Sequence, residues 1–404
     1  MLTCLSPNGV DVTRGAAPAR NLLVGTVGGV YALARESPQS DWSVAHASMT
    51  DKQISSLLYE PRSGLLFAGV HGNGGLWVSS DGGASWTPRM RGLDKPHVYT
   101  LAVQYRGSKT VLFAGVEPPG LYRSDDLGET WYDLPNIMNV PGTDKWNFPP
   151  PPHIAHVKHV AFHPTDPATY YVCIEQGALL KTVDDGQTWL ETSTFEADED
   201  FFRNDTHRTV MREANPDDVF LATGEGLYRS LDGGVTWNHL TYRADRIGYP
   251  DVLFLDPRDE NVIYLGGAGA APREWRKMTP PKSNAGLIRS RDNGESWVEL
   301  TNGLPNPVVG NIEAMTMHWW NREVTFYAGT ATGEVYEGED AGSCWRLLAK
   351  DLPPISKAGH YRWFLTAEQR ANIENHMRTW DLNKRAAPNE TIARGSTPSK
   401  SSQP

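Results

Sequence analysis

Cysteine is scarce in this 404-residue chain: Cys4, Cys173 and Cys344 are three, an odd number, and lie far apart. That pattern excludes a disulfide framework and makes a reducing cytoplasm the default expectation. Basic residues are outnumbered, 38 Lys and Arg against 48 Asp and Glu, and the formal net charge of −10 argues against a nucleic-acid surface. Long apolar runs are missing as well. The stretch from Met1 to Gly9 has neither a basic opening nor an apolar core, so neither a secretory leader nor a membrane span is expected. Glycine and proline, by contrast, are plentiful at 38 and 29, as suits a chain of many short strands and turns.

The chain repeats one short phrase, Ser/Thr-x-Asp-x-Gly-x-x-Trp. It stands at Ser79 to Trp86, Ser124 to Trp131, Thr182 to Trp189, Ser230 to Trp237 and Ser290 to Trp297, with a worn copy at Gly338 to Trp345. The tryptophans recur at intervals of roughly 45 to 60 residues, the period of a four-stranded propeller blade with variable loops. Each part of the phrase suits a turn. Asp accepts hydrogen bonds from backbone N–H groups a few residues on, Gly takes a conformation closed to other residues, and Trp buries its ring beside the next sheet. These aspartates are therefore structural.

Second strands of blades can be placed from Leu22 to Gly25, Leu66 to Gly69, Leu112 to Gly115, Tyr170 to Cys173, Phe220 to Thr223, Ile263 to Gly267 and Phe326 to Gly329, which predicts an all-β, seven-bladed propeller. Residues 1–19 read as an N-terminal extension and 20–365 as the propeller. Blade 1 has no good inner strand ahead of Leu22, whereas Asp351 to Leu365 is patterned like the start of other blades. The expectation is that this C-terminal segment supplies the missing strand and closes the ring without an open edge. Thr366 with Ile373, Met377 and Trp380 reads as the start and apolar stripe of a short helix over 366–383, followed by a disordered Ser/Pro/Thr-rich tail over 384–404.

The repeated phrase and its spacing resemble those of the Asp-box (BNR) propellers, over about residues 20 to 365. That group includes sialidases, xyloglucan-cleaving glycosidases, the sortilin ectodomain and photosystem II assembly factors. The resemblance implies the fold and leaves hydrolase and binding roles open. No Arg-Ile-Pro stands near the first blade, which speaks against a sialidase.

The boxes join strands three and four on one face, so the opposite face carries the starts of the inner strands. Three long stretches, Leu134 to Pro152, Phe195 to Asp205 and Ala271 to Pro281, fall on that opposite face as lids of a pocket. Aligned inner strands place His360, His97, His156 and Tyr249 in one layer, and Arg362, Ser55, Tyr99, Lys158, His207, Asp251 and Glu313 two residues on, because positions i and i+2 share a strand face. The loops after the second strands add His71, Glu117, Glu175 and Glu225. Such a ring has donors for a divalent transition metal, with His97, His156, His360, His71 and His207 as ligands and no nucleotide cofactor. Glu117, Glu175 and Glu225 are the candidate acids and bases. Arg362, Tyr99, Lys158, Tyr249, Trp146 and Trp275 are the candidate substrate contacts, the two tryptophans stacking on a sugar. Each residue taken singly is more ordinary as a solvated or hydrogen-bonded group of a wet propeller mouth.

Three readings follow. The first is metal-assisted hydrolysis, lysis or oxidation of a small polar or carbohydrate-like substrate. The second is a metal-independent glycosidase using paired carboxylates such as Glu117 and Glu175, as the family resemblance alone would suggest. The third is a non-catalytic scaffold for protein assembly. The polar mouth and its lids favour an enzyme, with the Asp-box face left for a protein partner and Trp319 and Trp320 lying on it.

Overall fold

The structure, a computed structural model, describes residues 2–9, 12–148, 153–192, 204–357, 359–366, 368 and 371. Seven sheets follow one another along the chain, and each of blades 2 to 6 is a simple four-stranded antiparallel meander. Blade 3 shows the pattern: inner strand His97–Arg106, then Lys109–Glu117, Gly120–Ser124 and the short outer strand Tyr132–Asp133.

Seven apolar clusters hold the ring, one for each pair of neighbouring blades. Leu58, Phe67 and Leu76 of blade 2 meet Val98, Leu112 and Val116 of blade 3, and Phe254 and Tyr264 of blade 6 meet Met315 and Phe326 of blade 7. The ring closes where Leu5, Leu22, Val24 and Trp42 pack on Ala314, Tyr327 and Ile355. Stability is thus distributed over nearest-neighbour interfaces, as in other repeat architectures.

The repeated turns stitch these interfaces. Ser79 Oγ donates to Asp81 Oδ1 at 2.8 Å and accepts from Gly83 N at 2.9 Å, while Asp81 Oδ1 accepts from Ser85 N at 3.0 Å. The same bonds recur at Thr182, Asp184, Gly186 and Thr188. Hydrogen bonds from Ser85 and Ser79 hold the Asp81 carboxyl far below the usual carboxylate range. The indole of Trp237 donates to Thr192 O at 2.7 Å, reaching back to the preceding blade. In the worn copy Gly338 stands where the others have a hydroxyl, and Trp345 Nε1 donates to Leu300 O at 3.0 Å.

Ring closure differs from the sequence expectation. The inner strand of blade 1 is β1 (Leu2–Leu5), which runs parallel to β3 (Asn21–Thr26), with Leu2 opposite Asn21 and Leu5 opposite Val24. After a turn at Ser6 to Gly9, β2 (Val12–Gly15) lies parallel to the inner strand of blade 7, Ile312–Trp320, as a fifth strand. Residues 2–9 and 12–15 are therefore part of the propeller and not an extension. Prolines 353 and 354 lack the N–H groups a ladder requires, and the C-terminal segment ends in a 3₁₀ turn, His360–Trp363, rather than a strand. The helix expected over 366–383 and the tail fall almost wholly outside the described residues.

The N-terminal turn is anchored to blades 2 and 3. Ser6 Oγ accepts from Leu57 N at 2.8 Å, Asn8 N donates to Ser55 O at 3.1 Å, and Asn8 O accepts from Thr100 Oγ1 at 2.7 Å. A Cβ on Gly9 would collide with Ser6 Oγ and the Leu57 carbonyl oxygen. Gly9→Ala should therefore cost about 1–3 kcal/mol as an overpacked site, read as a lowered midpoint in denaturant unfolding. An unchanged midpoint would show that the N-terminal segment does not seat in the ring.

Candidate functional site: a charged hub and its rim

In each of blades 2 to 7 the pairing of the inner strand slips by one residue close to its start. The residues left between paired positions are Ser55, Tyr99, Lys158, His207, Asp251 and Glu313, and all are buried. A bulge re-aims the side chain of its extra residue, so six bulges gather one residue from each blade.

Two lysines and two carboxylates form the centre of this hub. Lys158 Nζ lies 3.0 Å from Glu175 Oε1 and 3.1 Å from Asp251 Oδ1. Lys357, from the C-terminal segment, places its Nζ 3.0 Å from the same Glu175 oxygen and 2.6 Å from the same Asp251 oxygen. The segment is pinned beside blade 7, where Ser356 Oγ and Lys357 N both donate to Glu313 Oε2 at 2.8 Å and His360 Nδ1 meets Glu313 Oε1 at 3.0 Å. Burial alone would raise the Glu175 and Asp251 carboxyls, but the two ammonium groups outweigh it and hold both well below the usual range. Burial would likewise lower Lys357, and Asp251 and Glu175 overcome this and keep it charged. Lys158 is pushed down by burial, which Glu175 opposes and the neighbouring Lys357 reinforces.

A second arm runs outward from Glu175. His156 Nε2 is 2.7 Å from Glu175 Oε2, and its Nδ1 faces Glu117 Oε2 at 3.4 Å. Burial disfavours the His156 cation, yet the two carboxylates prevail and raise its pKa. The Tyr99 ring stacks on His156 at 3.6 Å between centroids. Glu117 Oε1 then lies 3.1 Å from His97 Nδ1, and the His97 ring meets that of His71 edge-on at 4.0 Å. Burial pushes the Glu117 carboxyl up, but His156 and His97 bring it to about 2. Burial, and then His97, bring His71 down to about 3. The Glu117 and His97 side chains are 13% and 10% exposed, whereas His156 and Glu175 have no exposed surface, so the arm ends at a rim.

The structure brings most of the expected residues together, with several corrections. Glu117, Glu175, His97, His156 and His71 form the arm, and Lys158 and His207 belong to the buried hub rather than to a substrate-facing surface. His207 Nε2 is 3.3 Å from Asp205, whose other oxygen accepts from Tyr249 OH at 3.0 Å. Tyr99 and Tyr249 are both buried. Glu225 stands apart, in the turn after Val219–Thr223, with Arg243 Nη1 3.7 Å from its carboxylate. Trp275 is fully buried, donates to Ala270 O at 2.6 Å and packs against Tyr249, His360 and Phe364, because the loop carrying it folds inward over the apolar edges of those rings. Trp146 is half-buried against the apolar cluster between blades 3 and 4. Arg362 and His360 sit on the 3₁₀ turn, with Arg362 exposed and 5.9 Å over Tyr361. Most of the expected lid from Phe195 to Asp205, residues 195–203, lies outside the described residues. Lys357 and Ser356 are the residues that sequence reasoning missed; a lone lysine just after the mostly apolar run Leu352 to Ile355 was the available signal.

The buried hub is a poor fit for a resident metal. Among the described residues, the one trio of His, Cys, Asp or Glu ligand atoms within 4.8 Å of one another is Glu175, Asp205 and His207. There Glu175 already receives two ammonium groups, whose charge opposes a divalent cation at the same oxygen. The imidazoles of His156, His207 and His360 direct nitrogens at carboxylates or a carbonyl.

Fold and site together define a seven-bladed β-propeller with an internally neutralised hub and a carboxylate–imidazole rim. No protein-family model matches the chain. It is 23% identical over 290 residues to a xyloglucanase of a Paenibacillus species, covering 63% of this chain and 26% of that protein. It is 27% identical over 210 residues to an oligoxyloglucan-reducing end-specific xyloglucanase of Emericella nidulans, covering 49% of this chain and 23% of that one. The chain thus spans less than a third of the length of these relatives. Among solved structures, an ancestral GH74 enzyme superposes with a TM-score of 0.54 at 18% identity, over 71% of this chain and 36% of that one, a likeness in fold.

Removing one partner of a buried charge cluster leaves the others uncompensated. Lys357→Met should cost roughly 3–5 kcal/mol, measured by denaturant unfolding. Wild-type stability in this variant would show that Lys357 does not neutralise the hub.

Proposed function

We propose that the chain is a carbohydrate hydrolase of the glycosidase type, acting without a metal through His97 and Glu117 at the rim. The observation that carries this reading is the state of His97. Its Nδ1 is held by Glu117, while its Nε2, itself buried, has no hydrogen-bond partner among the described residues, so a substrate must displace the rim packing to reach it. A carboxylate that orients an imidazole and leaves the far nitrogen unpaired is the arrangement of a general acid–base group.

In this scheme protonated His97 gives its Nε2 proton to the glycosidic oxygen as the C–O bond breaks. The Glu117 carboxylate stabilises the positive charge that develops on the sugar. The same nitrogen then takes a proton from the water that adds to the anomeric carbon, restoring the starting state. His156, Glu175 and the two lysines position Glu117 from behind. The choice of a β-linked glucan as substrate class is supported by the similarity to xyloglucanases.

Release of reducing ends from xyloglucan, its oligosaccharides and unbranched β-glucans tests the proposal. Wild-type protein should hydrolyse at least one of them, and His97→Gln and Glu117→Gln should each lose about 100-fold or more in rate while unfolding at temperatures close to wild type. Absence of hydrolysis on all of them, or variants as active as wild type, would refute it.

A further inference from the structure

A second cleft lies at the opposite end of the blade 7 inner strand. That strand ends in Trp319 and Trp320, and the chain turns through Asn321 and Arg322 with left-handed backbone, φ 43° and 66°. Beside them run Arg14 and Gly15 of β2, with Arg14 opposite Trp319 in the parallel ladder. These residues line a cleft of about 270 Å³. The Arg14 guanidinium lies 5.0 Å from the centre of the Trp319 ring. Trp319 Nε1 is buried without a hydrogen-bond partner among the described residues, and Trp320 Nε1 reaches Thr325 Oγ1 at 3.4 Å. Arg322 is exposed, and among the described residues no carboxylate pairs with its side chain.

We infer that this cleft binds a single acidic pyranose, such as a hexuronate or the uronic-acid end of an oligosaccharide. Indole faces offer the flat apolar surface that the C–H face of a sugar ring covers. Guanidinium groups supply the planar fork that a carboxylate accepts. The cleft is slightly smaller than the ~300 Å³ at which pockets for drug-sized ligands begin, which suits one or two rings. Arg14 is already paired with Glu213 at 2.8 Å, but both side chains are more than half exposed. Such a pair is worth only about 0–1 kcal/mol, so Arg14 can turn to a ligand carboxylate at little cost.

The site is separate from the rim. Glu313 at the hub and Trp319 at the cleft are six residues apart on one strand, about 20 Å at the usual rise per residue. It also depends on the N-terminal strand, because Arg14 reaches the cleft only through the pairing of β2 with blade 7. Neither the rim chemistry nor its substrate enters the argument.

Calorimetric titration of the full chain with D-glucuronate and with D-glucose tests the inference. Glucuronate should bind at least about tenfold more tightly than glucose, a difference of about 1.4 kcal/mol. Trp319→Ala and Arg322→Gln should each weaken glucuronate binding by about tenfold or more, and His97→Gln should leave it unchanged. If Trp319→Ala does not fold, Arg322→Gln on its exposed turn decides alone. Equal affinity for the two sugars, no binding of glucuronate at tens of millimolar, or wild-type binding by Arg322→Gln would each overturn it.

Discussion

Two ammonium groups held between two carboxylates, all without access to water, are the constraint around which this propeller is arranged. Lys158 and Lys357 each reach both Glu175 and Asp251. Buried ions are costly unless paired and hydrogen-bonded, and here the pairing draws on blade 4, blade 6 and the C-terminal strap at once. The charges therefore cross-link elements that are distant in sequence. They do so at the axis, where apolar interfaces between neighbouring blades cannot reach.

Both ends of the propeller chain are used to fill that axis. From one side β1 completes blade 1, the turn at Ser6 to Gly9 binds blades 2 and 3, and β2 adds to blade 7. From the other side the strap at Leu352 to Phe364 brings Lys357 into the hub and lays Phe364 against Trp275. The proposed sites lie where the packing reaches a surface, at the rim of Glu117 and His97 and at the cleft of Trp319.

Much of this was legible in the residues. Spaced tryptophans and their Asp-Gly turns gave the blade period, because each copy must make the same local hydrogen bonds, and the seven second strands gave the count. The axial layer of Ser55, Tyr99, Lys158, His207, Asp251 and Glu313 was also recoverable, since every inner strand starts at an equivalent turn. The bulges that push these residues inward were not, because a one-residue slip leaves no mark in composition. Nor was the closure: β1 is four residues long and pairs in parallel, whereas the proline-bearing strap carried the stronger pattern. Trp275 was misjudged because an aromatic residue in a long polar loop looks the same whether the loop folds outward or inward.

At the rim, the account turns on one nitrogen. Glu117 is held in its charged form by His156 and His97, and it in turn holds His97 by Nδ1, which in the proposed scheme leaves Nε2 to exchange protons. Nitrogen-15 NMR of imidazole-labelled protein, with His97 assigned through the His97→Gln variant, tests this most directly. The account predicts that His97 Nδ1 stays protonated across the titration while Nε2 is the nitrogen that gains and loses the proton, and that Glu117→Gln abolishes this preference. A His97 ring that carries its proton on Nε2 when neutral, or one indifferent to Glu117→Gln, would contradict it.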